Sequence, residues 1–416
     1  MRKLLALVTI LAVVFTVAGV WGGTALTSSP VAARGAPLVV DDDKVECPDA
    51  VYTTIGGALG DASAGNRIHV CAGVYNEPVV INKNGITLKG VPGAILDGDT
   101  PINFGAVNGI TISAGVSGVT VHGFEIRDYG NQGIRGDGTI AAPLSGITLR
   151  NLNIHDVGDH AIDILHSDDV QIKHVTIVMP PYIDPVSPFG CLFGFPVSPE
   201  AIRLQDVHGV QVTNVAVDGG FIGVNFALDP NGGETNGVVR GSTVANNFDG
   251  VLIADSSDAT IRGNEITGAC SGIRVGFSTP LTGGIRLVGN ELFENFAGIS
   301  AFVFGQRISA IEIKGNKIHD NDTDGVLLLN VHESEISENE VLDNGRNGIA
   351  LFDSRDNEVA GNTALGNGTG GPLNLLELFF GITTKVDMFQ DDPTSIPNIW
   401  SSNICGTSLG TGIDCP

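Results

Sequence analysis

Acidic and basic side chains are concentrated between residues 128 and 230, at spacings that suit acid–base chemistry. Asp156, Asp159 and Asp163 lie close together in the chain, and hydrolysis of a glycosidic bond requires two carboxyl groups, one protonated and one ionised. Arg135 and Arg203 stand at the position of their repeats that Asp163 occupies in its own. A cation there can neutralise a uronate carboxylate, which elimination requires in addition to a base. These five residues are the candidate catalytic residues.

A second group of side chains extends this patch as candidate carbohydrate contacts. Asn225 continues the same column, and His160 lies in the turn before it. Tyr182 and Phe193 belong to an insertion at residues 179–200, which holds six prolines and four aromatic residues. A long loop in a compact fold is commonly functional, so we predict that these four side chains bind carbohydrate. The alternative is that the aromatic residues only cover exposed sheet edges.

Short strands in a repeating pattern must position these residues. A small residue followed by an apolar one recurs at intervals of 22 to 28 residues, with one interval of 40 that contains the insertion. Repeats of this length predict a solenoid whose coils bury their apolar faces on one another. Two columns of asparagine are interpreted as structural, because stacked amides hydrogen-bond along the axis. They are Asn264, Asn290, Asn316, Asn339 and Asn362, and Asn247, Asn295, Asn321, Asn344 and Asn367.

Composition limits the class of protein. The 416 residues include 46 Asp and Glu against 22 Lys and Arg, a net charge of −24. Such a field repels nucleic acid and anionic membranes, so no nucleic-acid partner is expected. A basic start and an apolar stretch over residues 4–20 predict an export signal at residues 1–33, with retention as a membrane anchor as the alternative. With the signal cleaved, we predict no membrane insertion and an extracellular, periplasmic or cell-envelope location.

Six cysteines in an exported chain predict disulfides. They are Cys47, Cys71, Cys191, Cys270, Cys405 and Cys415. The first two flank the first helix–strand unit, and the last two close a short C-terminal loop. A bridge between Cys191 and Cys270 requires the insertion to fold back along the stack, and this pairing is left open.

The remaining segments complete the predicted organisation. Residues 34–46 are predicted to be a flexible mature N-terminus, 47–372 the solenoid, and 373–416 a C-terminal cap with a disulfide loop. Apolar residues within 52–62 follow helical spacing and predict a short helix over the N-terminal coil. Such a cap is needed because solenoid ends expose unpaired strand edges.

Coil length, the asparagine columns and the N-terminal unit carry a resemblance to a known class. The predicted helix starts near Thr54 and is followed by Ile68-His-Val-Cys-Ala-Gly-Val-Tyr-Asn-Glu77. Over residues 47–415 the chain resembles the right-handed parallel β-helix proteins of the pectin-lyase-like class. Within that class it is similar to secreted repeat proteins with the carbohydrate-binding and sugar-hydrolysis module, including the periplasmic proteins of the nitrous-oxide operon.

This resemblance implies an all-β fold, a right-handed parallel β-helix of about eleven coils with a short N-terminal capping helix. It also implies a polysaccharide or cell-surface glycan as the partner. We expect the protein to be a monomer. The class includes lyases, hydrolases, epimerases and non-catalytic proteins. Activity therefore stays open between a polysaccharide lyase or glycoside hydrolase and a non-catalytic structural or adhesive protein.

The catalytic motifs of that class are incomplete in this chain. Asp168-Asp169 is the one match to the polygalacturonase pattern, and Asp229-Pro230 is followed by Asn231 where alginate epimerases have histidine. No cofactor is assigned with certainty, although calcium is a candidate for so acidic a chain. A copper-related accessory role is the further alternative that the nitrous-oxide likeness implies. Its candidate ligands are His155, His160, His166 and His174.

Overall fold

Short strands wind into a parallel β-helix in which each coil stacks on the one before it. The computed structural model describes residues 35–98, 107–180, 191, 199–254, 256, 258–276, 283–303, 306–373, 377–378, 381–391, 397–413 and 415. The predicted export signal, residues 1–33, lies outside these ranges, as do Tyr182 and Phe193. The predicted fold class, an all-β parallel β-helix with one short helix, is confirmed.

Each coil contributes one strand to each of three faces. The first face contains Val79–Ile81, Ile110–Ile112, Ile134–Asp137, the start of Ile162–Val178, Ile202–His208, Ile222–Ala227, Asp249–Ile253, Ser271–Val275, Ala297–Ala301, Val326–Leu329, Ile349–Phe352, Met388–Gln390 and Ser408–Leu409. The second contains Leu38–Val40, Arg67–Val70, Thr87–Gly90, Thr120–His122, the first part of Leu144–His155, the middle of Ile162–Val178, Val210–Thr213, Gly237–Arg240, Ala259–Arg262, Ile285–Val288, Ile311–Lys314, Glu335–Ser337, Glu358–Ala360 and Ile399–Ser401.

The third face completes each coil before the chain returns to the first. It contains Gly73–Tyr75, Ala94–Asp97, Glu125–Arg127, the ends of Leu144–His155 and Ile162–Val178, Ala216–Asp218, Thr243–Ala245, Glu265–Thr267, Glu291–Phe293, Lys317–His319, Glu340–Leu342, Thr363–Leu365 and Ile404–Cys405. A separate pair joins Ile308–Ser309 to Val331–His332. Leu38–Val40 pairs with Arg67–Val70, so part of the segment predicted to be flexible forms a strand.

Ladders of branched apolar side chains fill the interior of the coils. On the first face Ile134, Ile162 and Ile202 are in register, and none of the three is exposed. Full burial of each such side chain contributes roughly 1.5–3 kcal/mol. A slip of one residue would turn every one of them outward. The interior therefore determines which residues of each strand face out.

Buried asparagines form two hydrogen-bonded ladders along the turns. Asn290 donates from Nδ2 to the Ile261 carbonyl (2.9 Å) and to Asn316 Oδ1 (3.0 Å). The first ladder continues through Asn339 and Asn362, and the second links Asn295, Asn321, Asn344 and Asn367. The structural interpretation of the columns is confirmed. The exception is Asn247, which Ala269 separates from Asn295.

The helix Ile55–Asp61 covers the first coil and is capped at both ends. Its first two amides donate to the Glu77 carboxylate at 2.6 and 2.9 Å. The Lys83 ammonium donates to three carbonyls at its other end at 2.7–2.8 Å. A negative charge at the N-terminus and a positive one at the C-terminus suit the helix dipole. Among the described residues, no helix has the length and apolar character that crossing a membrane takes.

Three disulfides are present, and one of them ties the insertion to the first face. Two join Cys47 to Cys71 and Cys405 to Cys415, one near each end of the β-helix. The third joins Cys191 to Cys270 across 79 positions of sequence. Cys191 packs in a small apolar cluster on the outside of the coils, which includes Phe221, Phe248 and Leu252. The disulfide therefore holds Cys191 against the exterior of the first face.

A buried carboxylate lies beside this external cluster. Asp249 is 1% exposed, and its Oδ1 is 3.1 Å from Arg274 Nε. The Arg274 guanidinium also lies 5.1 Å from the centre of the Phe248 ring. Burial raises the pKa of Asp249 to about 6, and the Arg274 charge offsets only part of that rise. Ionisation of Asp249 is therefore less favourable in the folded than in the unfolded chain.

Asn316→Ala is expected to lower the free energy of unfolding by about 2–4 kcal/mol, because it leaves buried amide and carbonyl groups without partners. These groups belong to Asn290 and Leu287. Asn153 is exposed on the third face and serves as the matched control. Asn153→Ala should cost less than about 0.5 kcal/mol. Chemical denaturation followed by circular dichroism measures both, and equal effects would contradict a special role for the ladder.

Asp249→Asn is expected to change how stability depends on pH. A folded-state pKa of about 6 lies above the ordinary aspartate value, so the folded chain binds more protons and stability is lost as pH rises from about 4 to about 6. The stability of the wild type relative to Asp249→Asn should fall by about 2–3 kcal/mol over that window. Urea unfolding at several pH values measures this difference. Asp258→Asn, at an exposed position, is the control and should show no comparable trend.

Candidate functional site

Four of the candidate residues form one column on the exterior of the first face, which we call the polar column: Arg135, Asp163, Arg203 and Asn225. Strand register places Arg135 opposite Asp163, Asp163 opposite Arg203, and Arg203 opposite Asn225. The column continues through Leu252, Arg274, Ser300, Leu327 and Ala350. This is the column that the spacing of the repeats predicts. Neighbouring members are about 4.8 Å apart along the axis, the spacing of paired strands.

Asp163 is the buried centre of this column. Its side chain has no exposure, and its two oxygens face two guanidinium groups. Arg203 Nη1 is 3.4 Å from Oδ1, and Arg135 Nη1 binds Oδ2. Arg203 also donates to Gln205 Oε1. The carboxylate thus orients both arginines, whereas a nucleophile or base must reach the substrate.

The other two candidate aspartates lie in the turn that precedes this strand. Asp156 follows the end of a third-face strand and pairs with His155 at 2.7 Å. Asp159 accepts a hydrogen bond from Gln132 Nε2 at 3.1 Å, and its other oxygen is 3.6 Å from His160 Nε2. Asp156 and Asp159 thus contact neighbours of their own turn and of the coil before. The side chains that pair with Asp163 are two arginines, whereas a hydrolase requires a second carboxyl group across the glycosidic bond.

Glu200 is a functional candidate that the sequence reasoning missed. Its carboxylate accepts a hydrogen bond from Asn225 Nδ2 at 3.1 Å, and its backbone amide donates to His160 Nδ1 at 3.3 Å. Burial raises the pKa of Glu200, although His160, Asn225 and Arg203 each oppose the rise. A carboxyl group with a raised pKa beside an arginine is suited to proton transfer.

The position of Glu200 in the repeat was available as a signal. Gln132, His160 and Glu200 each immediately precede the small-apolar pair of their coil. Backbone hydrogen bonds join the residues of this column from coil to coil, from Gly133 to His160 and from Ala161 to Glu200. The site therefore contains residues from two columns, the one immediately before the small-apolar pair and the one immediately after it.

Hydrogen bonds extend from the column to a second polar group. Gln205 Nε2 donates to Asp229 Oδ1 at 3.1 Å. Burial alone would raise the pKa of Asp229, but hydrogen bonds from the backbone amides of Asn231 and Gly233 and from the Gln205 and Asn231 side chains lower it below its ordinary value. Asp229 is therefore held as a carboxylate.

Among the residues that the structure describes, two groups of side chains could hold a metal ion. One consists of His166, Asp206 and Asp229. The other is the N-terminal acidic loop, defined as Asp41, Asp42, Asp43 and Glu46. The remaining histidines considered for copper have other neighbours: His155 contacts Glu125 and Asp156, His160 contacts Asp159 and Glu200, and His174 contacts Asn214. Of those four histidines, the structure brings His166 to a metal-type group.

The chain is similar to several solved structures, at low sequence identity. The A-module of mannuronan C-5 epimerase AlgE6 from Azotobacter vinelandii is 14% identical, with 87% of this chain and 94% of that chain covered and a TM-score of 0.46. An alginate lyase from Paenibacillus sp. str. FPU-7 is 15% identical, with 67% and 95% covered and a TM-score of 0.45. PfbA, a surface adhesin of Streptococcus pneumoniae, is 14% identical, with 79% and 90% covered and a TM-score of 0.42. Similarity this distant carries no argument about activity.

A family model gives a more direct relation. The model for the periplasmic copper-binding protein NosD matches residues 108–302 and 231–375. None of the curated proteins matches the chain. The periplasmic description of the family confirms the predicted location outside the cytoplasm. Since the matched residues include the polar column and make up more than half of the sequence, the chain belongs to the NosD family of periplasmic copper-binding proteins.

Proposed function

We propose that this protein is an exported β-helix protein that binds an acidic polysaccharide or cell-surface glycan through the polar column of its first face. The observation that carries the proposal is the arrangement of Arg135, Asp163 and Arg203. The arginine side chains are 23% and 27% exposed, whereas Asp163 between them has no exposure. The group therefore presents two guanidinium groups to solvent, one of them also paired with the exposed Asp137, on a chain whose net charge is −24.

The two guanidinium groups are fixed before a ligand arrives. Arg135 is held by Asp163 and Asp137, and Arg203 by Asp163 and Gln205. Fixed donors bind carboxylates at a lower entropic cost than mobile ones. The backbones of the two arginines are two coils apart, roughly 10 Å at the usual strand spacing, and their guanidinium groups converge on the carboxylate of Asp163. The column is complete within one chain, which supports binding by a monomer.

Cys191, the described residue in the middle of the insertion, lies near the polar column. Its disulfide to Cys270 places Cys191 in a cluster with Ile222 and Leu252, and Leu252 pairs directly with Asn225 of the column. We propose that Tyr182 and Phe193, from the same insertion, contact the sugar rings. An aromatic ring can pack on a sugar ring and a guanidinium group can bind its carboxylate, so the two side-chain types together suit a uronate.

Elimination fits this surface better than hydrolysis. In the proposed reaction the Glu200 carboxylate takes the proton from C5 of a uronate, while Arg203 neutralises the uronate carboxylate. The C4–O bond then breaks, the electron pair forms a C4=C5 double bond, and the leaving oxygen takes a proton from solvent. Support comes from the raised pKa of Glu200, which makes its ionised form a stronger base. A copper-related accessory role is the second candidate, favoured by the family to which the chain belongs.

We propose that the N-terminal acidic loop binds a calcium ion. The four carboxylates of that loop converge within 4.8 Å of one another. Asp41 has no exposure, and its Oδ1 has no hydrogen-bond partner among the described residues. Calcium prefers carboxylate oxygens. Because the loop precedes the first disulfide, an ion there would stabilise the N-terminal coils and take no part in the reaction.

Replacing Asp163 and Arg203 together, by Asn and Gln, is expected to weaken retention on an immobilised polyuronate at least tenfold. The paired change removes a charge-assisted contact with the glycan and leaves less unpaired charge buried than Arg203→Gln alone. Arg262→Gln, at an exposed arginine of the second face, is the control and should retain the glycan. Unchanged retention by a double variant with the circular dichroism of the wild type would refute the assignment of the column.

Incubation with polyuronates is expected to produce unsaturated, UV-absorbing ends, and Glu200→Gln should abolish them without loss of glycan retention. The base must be ionised, so the rate should rise with pH through a pKa above the ordinary glutamate range. Rates with and without calcium should be equal, since the proposed calcium lies at the N-terminal loop. Saturated reducing ends would indicate a hydrolase instead. Intact glycan throughout would leave a binding protein without turnover, with a structural or adhesive role.

A further inference from the structure

We infer that His166, Asp206 and Asp229 form a binding site for a divalent transition-metal ion, with His208 as a fourth ligand. The three come from successive coils: His166 and Asp206 are positive-φ residues within Ile162–Val178 and Ile202–His208, and Asp229 follows the strand Ile222–Ala227. One ligand atom from each lies within 4.8 Å of the other two. His166 Nδ1 is 2.8 Å from Asp206 Oδ2, and His208 Nε2 is 3.8 Å from Asp206 Oδ1. This inference stands apart from the glycan proposal.

The surroundings of the two carboxylates are suited to a cation. In the part of the chain that the structure describes, the ion-pair partners of Asp206 are His166 and His208, and no lysine or arginine pairs with Asp206 or Asp229. Carboxylates that converge without such a partner repel one another unless a cation lies between them. A metal ion would supply that charge.

The neighbouring residues orient the ligands. Gln205 Nε2 and the Gly233 amide donate to the two oxygens of Asp229 at 3.1 and 3.0 Å. Gly233 also leaves room for Asp206, because a Cβ at this position would be 2.3 Å from Asp206 Cγ. Outer hydrogen bonds of this kind commonly fix the carboxylates of metal sites.

The donor set indicates the class of ion. Imidazole nitrogen suits copper and zinc, whereas calcium takes oxygen ligands. Two imidazoles and two carboxylates therefore favour Cu²⁺ or Zn²⁺ over Ca²⁺. The family to which the chain belongs is described as copper-binding, and these side chains are where such an ion would be held.

A histidine elsewhere in the chain provides a matched control. His319 also lies between two carboxylates, with Nδ1 2.7 Å from Asp320 and Nε2 3.2 Å from Glu291. There, however, the Lys317 ammonium is 2.7 Å from the same Glu291 oxygen. A cation already neutralises that carboxylate, so His319 should not contribute to metal binding.

The test is equilibrium dialysis of the full purified protein, stripped by a chelator, against micromolar Cu²⁺, Zn²⁺ or Ca²⁺. The wild type is expected to hold one Cu²⁺ or Zn²⁺ at this site. Affinity should fall at least tenfold in His166→Gln and in Asp206→Asn, and should be unchanged in His319→Gln. The electron paramagnetic resonance spectrum of the Cu²⁺ form should show coupling to two imidazole nitrogens in the wild type and to one in His166→Gln.

Three results would overturn the inference. They are a wild type that binds neither Cu²⁺ nor Zn²⁺, a site that binds Ca²⁺ instead, and metal binding that survives both substitutions in a folded protein. Should His166→Gln fail to fold, Asp229→Asn provides an independent variant with the same expected loss. Glycan retention, measured on the same samples, separates this result from the proposed function, because loss of the metal site should leave retention intact.

Discussion

In-register parallel stacking is the constraint on which the rest of the structure depends. Each coil rises by one strand spacing along the axis of the β-helix. Any position in one coil therefore has a counterpart directly above it in the next coil. Inward positions become apolar ladders, turn positions become amide ladders, and outward positions become columns that can carry chemistry. The pairing of Arg135 with Asp163, and of Asp163 with Arg203, is a direct result of that repetition.

Much of this arrangement could be predicted from the sequence, because period and turn chemistry are local properties. The small-apolar pairs located the first-face strands and therefore the polar column. The asparagine columns marked the turns, since a buried amide that bonds to both neighbouring coils tolerates few replacements. The capping helix followed from apolar spacing near Thr54. The second asparagine ladder is shorter than the predicted column, because Ala269 takes the position between Asn247 and Asn295. The strands on either side continue.

The role of individual side chains could not be predicted in the same way. Burial decides whether a carboxylate reacts or only holds its neighbours, and the sequence does not show that Asp163 lies beneath two guanidinium groups. Glu200 was not predicted because the sequence prediction followed the column after the small-apolar pair, whereas Glu200 immediately precedes that pair. The contact between His166 and Asp206 was also not predicted, because the insertion lies between them and they are 40 positions apart in the sequence. Only the closed path of the coil brings such residues together.

The disulfide between Cys191 and Cys270 has a mechanical consequence. A solenoid pulled at its ends unwinds coil by coil, since each coil contacts only its neighbours. This bridge closes a loop of 79 positions that contains the strands of Arg203 and Asn225. The segment that it closes would measure roughly 270 Å if fully extended, and the disulfide prevents an applied force from extending it. On a cell envelope under shear, the coils that carry these two residues would stay confined after the flanking coils had been drawn out.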